Sequence, residues 1–429
     1  MRTAYIFKSD SALNVYSRLF AILAPLSVTQ WNKMVLVTLF ASSVFALLLH
    51  VTSTRKIQLD MNYGLIIVLF LSVFIIPLFS IIINRDYLVG EYLKSVIIGR
   101  LFTMVFMVLN ATVILLWLSR ANRTELVSFL KWCLFPALMF VLLAYWQLIG
   151  GLLGIPFFIE TRDWMHGVPS TLRAVLPSRL TSIAEEPNFL APILMETILL
   201  TVLLVKQTLF RLGAMFLTLI VVVLSFSGGA YVNLFLLGVI SSIFIFLRSC
   251  LRQRIGIFQV IGVFIVVSII VAISYWGVLL FDFISYKLQH EASGGSSRSQ
   301  FLMSLINMLI ESDLVQLIFG HGIGTMSILD EFGLRSEDYL FRITNNFFLD
   351  MFWEGGALSV TLILSFMTYL VLIGLKGFHC SNFYFIGMLM TFHLMITATY
   401  RSEYLSTHFI WVLTLIMVIY KIGRLYGRE

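Results

Sequence analysis

Charge is scarce in this sequence. Only 12% of its 429 residues are Asp, Glu, Lys or Arg, 59% are hydrophobic, and the mean hydropathy is +0.97. A soluble domain of this length with that balance would aggregate, so the solvent of the folded chain is a bilayer. Cysteine is nearly absent: the three residues Cys133, Cys250 and Cys380 are an odd set. All fall near span ends assigned below to the reducing side, and no disulfide is expected. The chain also lacks a Walker loop, a GxGxxG string, an HExxH pair and a CxxC pair. Nucleotide-driven transport, dinucleotide chemistry and the usual zinc sites therefore have no support, and no cofactor or metal is expected. Any energy source must lie in the substrate.

What the chain does contain is apolar runs. A span needs about 20 mainly apolar residues, and about twelve such segments are present. They are Leu13–Val28, Met34–Val51, Asn62–Ile83, Tyr92–Leu118, Leu126–Leu153, Phe189–Val205, Leu209–Ser225, Ala230–Leu247, Ile255–Phe281, Phe347–Leu375, Phe383–Ala398 and Leu405–Tyr420. Backbone polar groups cannot stay unpaired in lipid, and the runs lack the short alternating pattern of a barrel, so the predicted fold class is all-α. The first segment contains Arg18 and Pro25 and has no small-residue cleavage site, so it reads as a span and not a removed signal.

Basic residues set the orientation. With a cytoplasmic N-terminus, the inside loops hold Arg55, Arg120, Arg123, Lys206, Arg211, Arg248, Arg252, Lys376, Lys421 and Arg424, with little acid. Both termini then lie inside. The net charge of +7 reflects this bias and contact with anionic lipid, without nucleic acid. The chain reads as one membrane domain over residues 1–429, with no internal repeat. Two long loops, 154–188 and 282–346, fall on the outer, periplasmic side and hold roughly a hundred residues between them. Long ordered loops are where function concentrates. In the second, Phe301, Leu302, Leu305, Ile306, Met308 and Leu309 follow a 3.6 period, which predicts an amphipathic interfacial helix from Arg298 to Ser312.

Four places carry residue types suited to chemistry. The string from Arg179 to Phe189 includes Glu185, Glu186 and Asn188 and ends the first long loop. Arginine offers a planar fork of donors to a diphosphate, and a nearby carboxylate can take a hydroxyl proton; an interfacial salt bridge between Arg179 and Glu185 or Glu186 explains the spacing equally well. The glycine-rich run Gly320 to Thr325 holds His321, either a titrating base or a surface side chain on a tight turn. Asn345 and Asn346 open a span and can hydrogen-bond sugar hydroxyls, or Asn345 can simply cap the helix. Arg100 and Glu196 are charges deep inside spans. They pair with each other, or Arg100 lines a lipid-phosphate channel or snorkels to an interface.

Taken in order, these strings resemble the O-antigen polymerase (Wzy) and O-antigen ligase superfamily of bacterial envelope glycosyltransferases. The likeness runs from about 179 to 356: Arg179 to Phe189; Ser225, Phe226, Ser227, Gly228 and Gly229; Arg298; Phe319 to Gly324; and Asn346 to Gly356. The resemblance implies a GT-C-like membrane fold in the bacterial inner membrane. It also implies metal-independent, inverting transfer of a glycan from undecaprenyl diphosphate, with Arg179 and Arg298 holding the diphosphate. A chain-length regulator protein would be a further partner of such an enzyme. Two departures stand out: Gly228 replaces an arginine common in the family, and Asn345 stands where ligases typically carry histidine. The second favours polymerase over ligase and leaves the base open among His321, Glu186 and Glu185. A flippase for the same lipid-linked glycan is the reading from another class.

Overall fold

The computed structural model describes residues 2–54, 74–84, 97–155, 179–251, 305–326, 344–402 and 406–426, with backbone alone at 2–11, 54, 251 and 426. Helices dominate. In order they are α1 (Arg2–Leu23) with a 3-10 turn (Ala24–Val28), α2 (Asn32–Thr54), α3 (Phe74–Ile83), α4 (Ile98–Arg120) and α5 (Arg123–Leu153). Then come α6 (Pro187–Leu204), α7 (Thr208–Leu224), α8 (Gly228–Leu251), α9 (305–311), α10 (Leu314–Phe319), α11 (Phe347–Gly377), α12 (Asn382–Ala398) and α13 (Thr407–Tyr426). Among the described residues there is no strand, only an isolated bridge between Thr29 and Ala184.

Among the described residues seven helices, α2, α4, α5, α6, α8, α11 and α13, are long and apolar enough to cross a membrane, and four shorter apolar helices stand among them. The chain is an all-α polytopic membrane protein. Eleven of the twelve expected spans fall wholly or partly on these helices, while 255–281 lies outside the described residues. Much of the loop prediction does too: Arg298 and most of both long loops are outside the described residues. The described part of the expected amphipathic helix is helical. Its Leu305 and Leu309 are buried against Met326 and Trp353, while Ile310 faces outward at 74% exposure.

Local chemistry sets the helix ends. Asn122 and Glu125 form a reciprocal cap at the start of α5, and Gly154 ends that helix in the left-handed region, where glycine carries no Cβ penalty. Pro187 occupies the first turn of α6, where its missing N–H has no intrahelical partner to lose. Outward faces are apolar, as lipid requires; Leu209 and Phe210 of α7 are 82% and 69% exposed. Inside, association cannot draw on the hydrophobic effect, because lipid is as apolar as leucine, and close packing replaces it. At α11, α12 and α13, a Cβ on Gly387 would fall 2.5 Å from the Tyr420 ring and one on Gly374 2.6 Å from Met388. Tyr420 thus lies in a glycine-lined seam and donates to Leu370 O at 2.8 Å.

Alternation of the helices gives the bundle two unlike ends. One gathers Arg120, Lys206, Arg248, Lys376 and Lys421. There Lys421 Nζ donates to the Leu118 carbonyl and to Ala121 O at 2.9 Å, covering the C-terminal carbonyls of α4, and Arg248 donates to Asn382 Oδ1 at 2.8 Å. The other end holds the starts of α2, α6, α8, α11 and α13. All candidate residues within the described chain that come from the two loops lie there.

Candidate functional site

The segment after the first long loop is fastened from several sides. Gln147 Oε1 accepts from the backbone N–H groups of Thr181 and Ser182 at 3.0 and 2.8 Å, Ser182 Oγ donates to Phe140 O, and Glu185 N donates to Val28 O at 3.1 Å. Ser182 and Phe226 both have positive φ, which lets two sharp bends meet. Arg179 Nε donates to Ser225 O at 3.1 Å and its Nη2 to Phe226 O at 2.7 Å. The guanidinium therefore covers the C-terminal carbonyls of α7, a favourable place for a cation. Of the two readings of that spacing, a diphosphate fork and an interfacial salt bridge to Glu185 or Glu186, these carbonyl bonds display neither. Ser227 Oγ donates to Asn188 Oδ1 at 2.8 Å, so the 179–189 and 225–229 strings, separate in sequence, form one unit.

Beside this unit is a cavity of about 190 Å³. Glu185, Phe189, Asn345 and Arg401 line it, together with Ser27, Asn32, Ser402, Ser406 and Thr407. Glu185 is exposed at its edge. Arg401 is only 7% exposed, and its guanidinium carbon sits 4.5 Å from the centre of the Phe189 ring, a stacked cation–π arrangement. Of the two asparagines, Asn346 is the helix cap: its Oδ1 accepts from Phe348 N and Leu349 N at 3.1 and 3.2 Å. The capping alternative for Asn345 is corrected accordingly. Asn345, with φ of 59°, turns the chain into the cap and reaches the cavity instead. Glu186 occupies the cap position of α6 without a side-chain cap bond and does not line the cavity.

The glycine-rich run does something different. Its backbone threads into a break in α11 at Gly356, which has φ of 65° and ψ of −169°. His321 N donates to Trp353 O at 2.7 Å, Gly322 N to Glu354 O at 3.0 Å and Gly324 N to the Glu354 carboxylate at 2.9 Å. Asn84 and Ser80 at the end of α3 bond the Gly320 and Phe319 carbonyls. His321 is a buried side chain, not a surface one. Its ring stacks on Trp353 at 3.9 Å between centres, and its Nε2 is 3.0 Å from Ser312 Oγ. Burial pushes its pKa down to about 4, against the opposing pull of the Asp313 charge. At neutral pH it is an uncharged ring in a tight turn.

The charges within spans pair in a way the spacing did not show. Glu196, with no exposure, is held by two histidines: His393 Nε2 lies 3.2 Å from its Oε1 and His408 Nε2 3.0 Å from the same oxygen. His393 Nδ1 faces Asn233 Oδ1 at 3.2 Å, and Asn233 Nδ2 donates to Thr397 Oγ1 and Tyr400 Oη at 3.0 and 3.1 Å. This cluster ties α6, α8, α12 and α13 together. Of the readings open for these two charges, pairing of Arg100 with Glu196 is corrected: the histidines take Glu196, and the Arg100 charge acts on Asp350, whose Oδ1 accepts from Thr344 N and Oγ1 at 2.8 and 2.7 Å. Among the described residues no group of His, Cys, Asp and Glu is arranged to hold a metal ion.

Arg401, His393 and His408 were not among the candidates. For the histidines a signal was available, since ionisable side chains inside apolar spans are costly and rarely incidental. For Arg401 it was fainter: a lone arginine in the short connection on the end opposite the basic loops. Comparison of the chain with known protein families and with curated proteins finds no match.

Proposed function

We propose that this protein is a membrane glycosyltransferase of the O-antigen polymerase kind. It takes a growing saccharide on undecaprenyl diphosphate and moves it to a hydroxyl of the next lipid-linked repeat unit. The observation that supports this reading best is the cavity. It joins Glu185, from one of the strings that resemble the family, and Asn345, which directly precedes another, with an arginine, at the end of the bundle that holds the starts of α2, α6, α11 and α13. By the distribution of basic residues, that end faces the periplasm of a bacterial inner membrane, where lipid-linked repeat units are presented.

In the proposed reaction the acceptor hydroxyl attacks the anomeric carbon of the donor. The carbon–oxygen bond to the diphosphate breaks, the diphosphate leaves with the electron pair, and the configuration inverts. Glu185 takes the hydroxyl proton. It is the carboxylate on the cavity edge, whereas His321 is buried outside the cavity and is a weak base. Asn345 hydrogen-bonds the sugar. Because diphosphate is a good leaving group, positioning and fixed donors account for most of the rate. The test is reconstitution of the purified protein with a synthetic undecaprenyl-diphosphate repeat unit, followed by gel analysis of glycan length. A ladder that vanishes with Glu185→Gln supports the reading. Wild-type protein that makes no glycosidic bond from the correct repeat unit sinks it.

The Glu196–His393–His408 cluster favours a second reading, a flippase or other transporter, because buried ionisable clusters in spans mark proton-linked movement. Movement of the lipid across a liposome membrane, without bond formation, would select it.

A further inference from the structure

Two residues that line the cavity, Ser402 and Thr407, carry buried hydroxyls without a hydrogen-bond partner among the described residues. Thr407 is 4% exposed and opens α13, while Ser402 ends the segment that follows α12. A hydroxyl in that position has given up its bonds to water and gained none in return, so each is complete only when something bonds to it. Behind Ser402 lies a third such atom. Asp350 is 1% exposed and does not line the cavity; its Oδ1 accepts from Thr344 N and Oγ1 at 2.8 and 2.7 Å, while its Oδ2 has no hydrogen-bond partner among the described residues. The Ser402 side chain stands beside this carboxylate.

A carboxylate oxygen only accepts, whereas serine has one proton to give and lone pairs to receive. The arrangement is therefore complete when Ser402 turns to donate to Asp350 Oδ2 and itself receives a hydrogen bond from the cavity. Thr407 can give or receive. These requirements select the ligand. A carboxylate or diphosphate oxygen has no proton to give Ser402, but a sugar hydroxyl both gives and receives, and a sugar ring holds several at fixed spacing. The cavity of about 190 Å³ equals roughly six waters, room for one such ring and too little for a whole repeat unit. Asn345, on the same wall, adds an amide that offers both donor and acceptor.

We propose that Ser402 and Thr407 are the specificity-determining residues of this cavity: each binds one hydroxyl of a single sugar ring, and Asp350 is a positioning residue that turns Ser402 to accept. A ring that lacks either hydroxyl, as a deoxy sugar does, is discriminated against. That the ring belongs to a lipid-linked repeat unit rests on the glycosyltransferase reading; recognition of the hydroxyls does not. The experiment uses the full chain in phosphatidylcholine nanodiscs, whose lipid headgroup carries no hydroxyl. Saturation-transfer NMR titrations measure binding of the methyl glycosides of glucose, galactose, mannose and N-acetylglucosamine, of each singly deoxygenated form of whichever binds, and of 2-methoxytetrahydropyran, the ring bare of hydroxyls. Expected is binding of at least one glycoside, none of the bare ring, and about tenfold weaker binding of two of the deoxy forms. Variants then match hydroxyls: Ser402→Ala erases one of these tenfold differences, Thr407→Val erases the other, and Asp350→Asn shrinks the Ser402 difference alone. A residue that only holds the fold would weaken every glycoside alike. Should Thr407→Val or Asp350→Asn fail to fold, Ser402→Ala alone decides. Binding of none of the glycosides, equal binding of the bare ring, or monodisperse variants that keep both differences overturns the inference. Glycoside binding by a protein that makes no glycan would refute the glycosyltransferase reading and keep the subsite; glycan synthesis with glycoside binding unaltered in the variants would do the reverse.

Discussion

The glycine turn and the cavity lie at the same end of the bundle, both border α11, and both are built from short polar residues near span starts. They are nevertheless opposites. In the turn, the N–H groups of His321, Gly322 and Gly324 are taken up by Trp353 and Glu354, and the histidine ring is covered by an indole. These groups bond to one another. In the cavity, Glu185, Asn345 and the Thr407 hydroxyl border open space. The difference lies in backbone: where glycines let two chain segments touch, polar groups satisfy each other, and where side chains keep helix ends apart, polar groups remain for a ligand.

The contrast is best broken by filling the turn. A Cβ on Gly320 would fall 2.5 Å from the Glu354 carbonyl carbon, and Gly356 holds a backbone conformation open essentially to glycine alone. Gly320→Val and Gly356→Val should abolish recovery of monodisperse protein, whereas Gly213→Ala, which meets no atom within 4 Å, should leave it unchanged. Normal yield from either valine variant would show that the turn is not scaffold. The next effect belongs to the cavity: Glu185→Gln should cut glycan synthesis by at least about a hundredfold. The same variant should keep the thermal midpoint of the wild type, because Glu185 is exposed at the cavity edge. Loss of synthesis together with a lowered midpoint would mean that Glu185 shapes the site and does not act as base.

A smaller effect tests Arg179. Arg179→Met should lower stability by about 2 kcal/mol, read as a lower thermal midpoint, since it uncovers the carbonyls of Ser225 and Phe226; glycan synthesis per folded protein should stay the same. If synthesis falls with unchanged stability, the diphosphate role belongs to Arg179 after all. The smallest effect is a pH dependence in the turn. His321 titrates near 4 in the folded chain and near 6.5 when unfolded, so the unfolded state binds the extra proton between those values. Stability is then full above pH 6.5 and declines as pH falls toward 4, by about 1 kcal/mol between pH 7 and pH 5.5. His321→Gln should flatten that part of the thermal-midpoint profile.

The spans were legible because the bilayer imposes length and apolarity directly on the sequence, and Glu185, Asn345 and Asn346 were legible because they stand where a loop becomes a helix. Which asparagine caps and which faces the cavity was not, since that choice depends on the left-handed φ of Asn345. Nor was the assignment of arginines. Arg179 has the richer local sequence, yet it serves the end of α7, while Arg401 gains its place from α2, α6 and α11, which are distant in the chain. Glu196 likewise found His393 and His408 roughly two hundred residues away, a pairing that no local period encodes.

The break at Gly356 makes α11 two rods with a joint. The short outer rod, from Phe347 to Gly355, is fixed to the glycine turn through Trp353 and Glu354, while the long inner rod runs through the lipid to Gly377. A long rod in a bilayer tilts as membrane thickness changes. Because the joint separates them, the direction of the outer rod, and with it the place of Asn345, is set by bonds to the glycine turn and not by the angle at which the inner rod crosses the lipid.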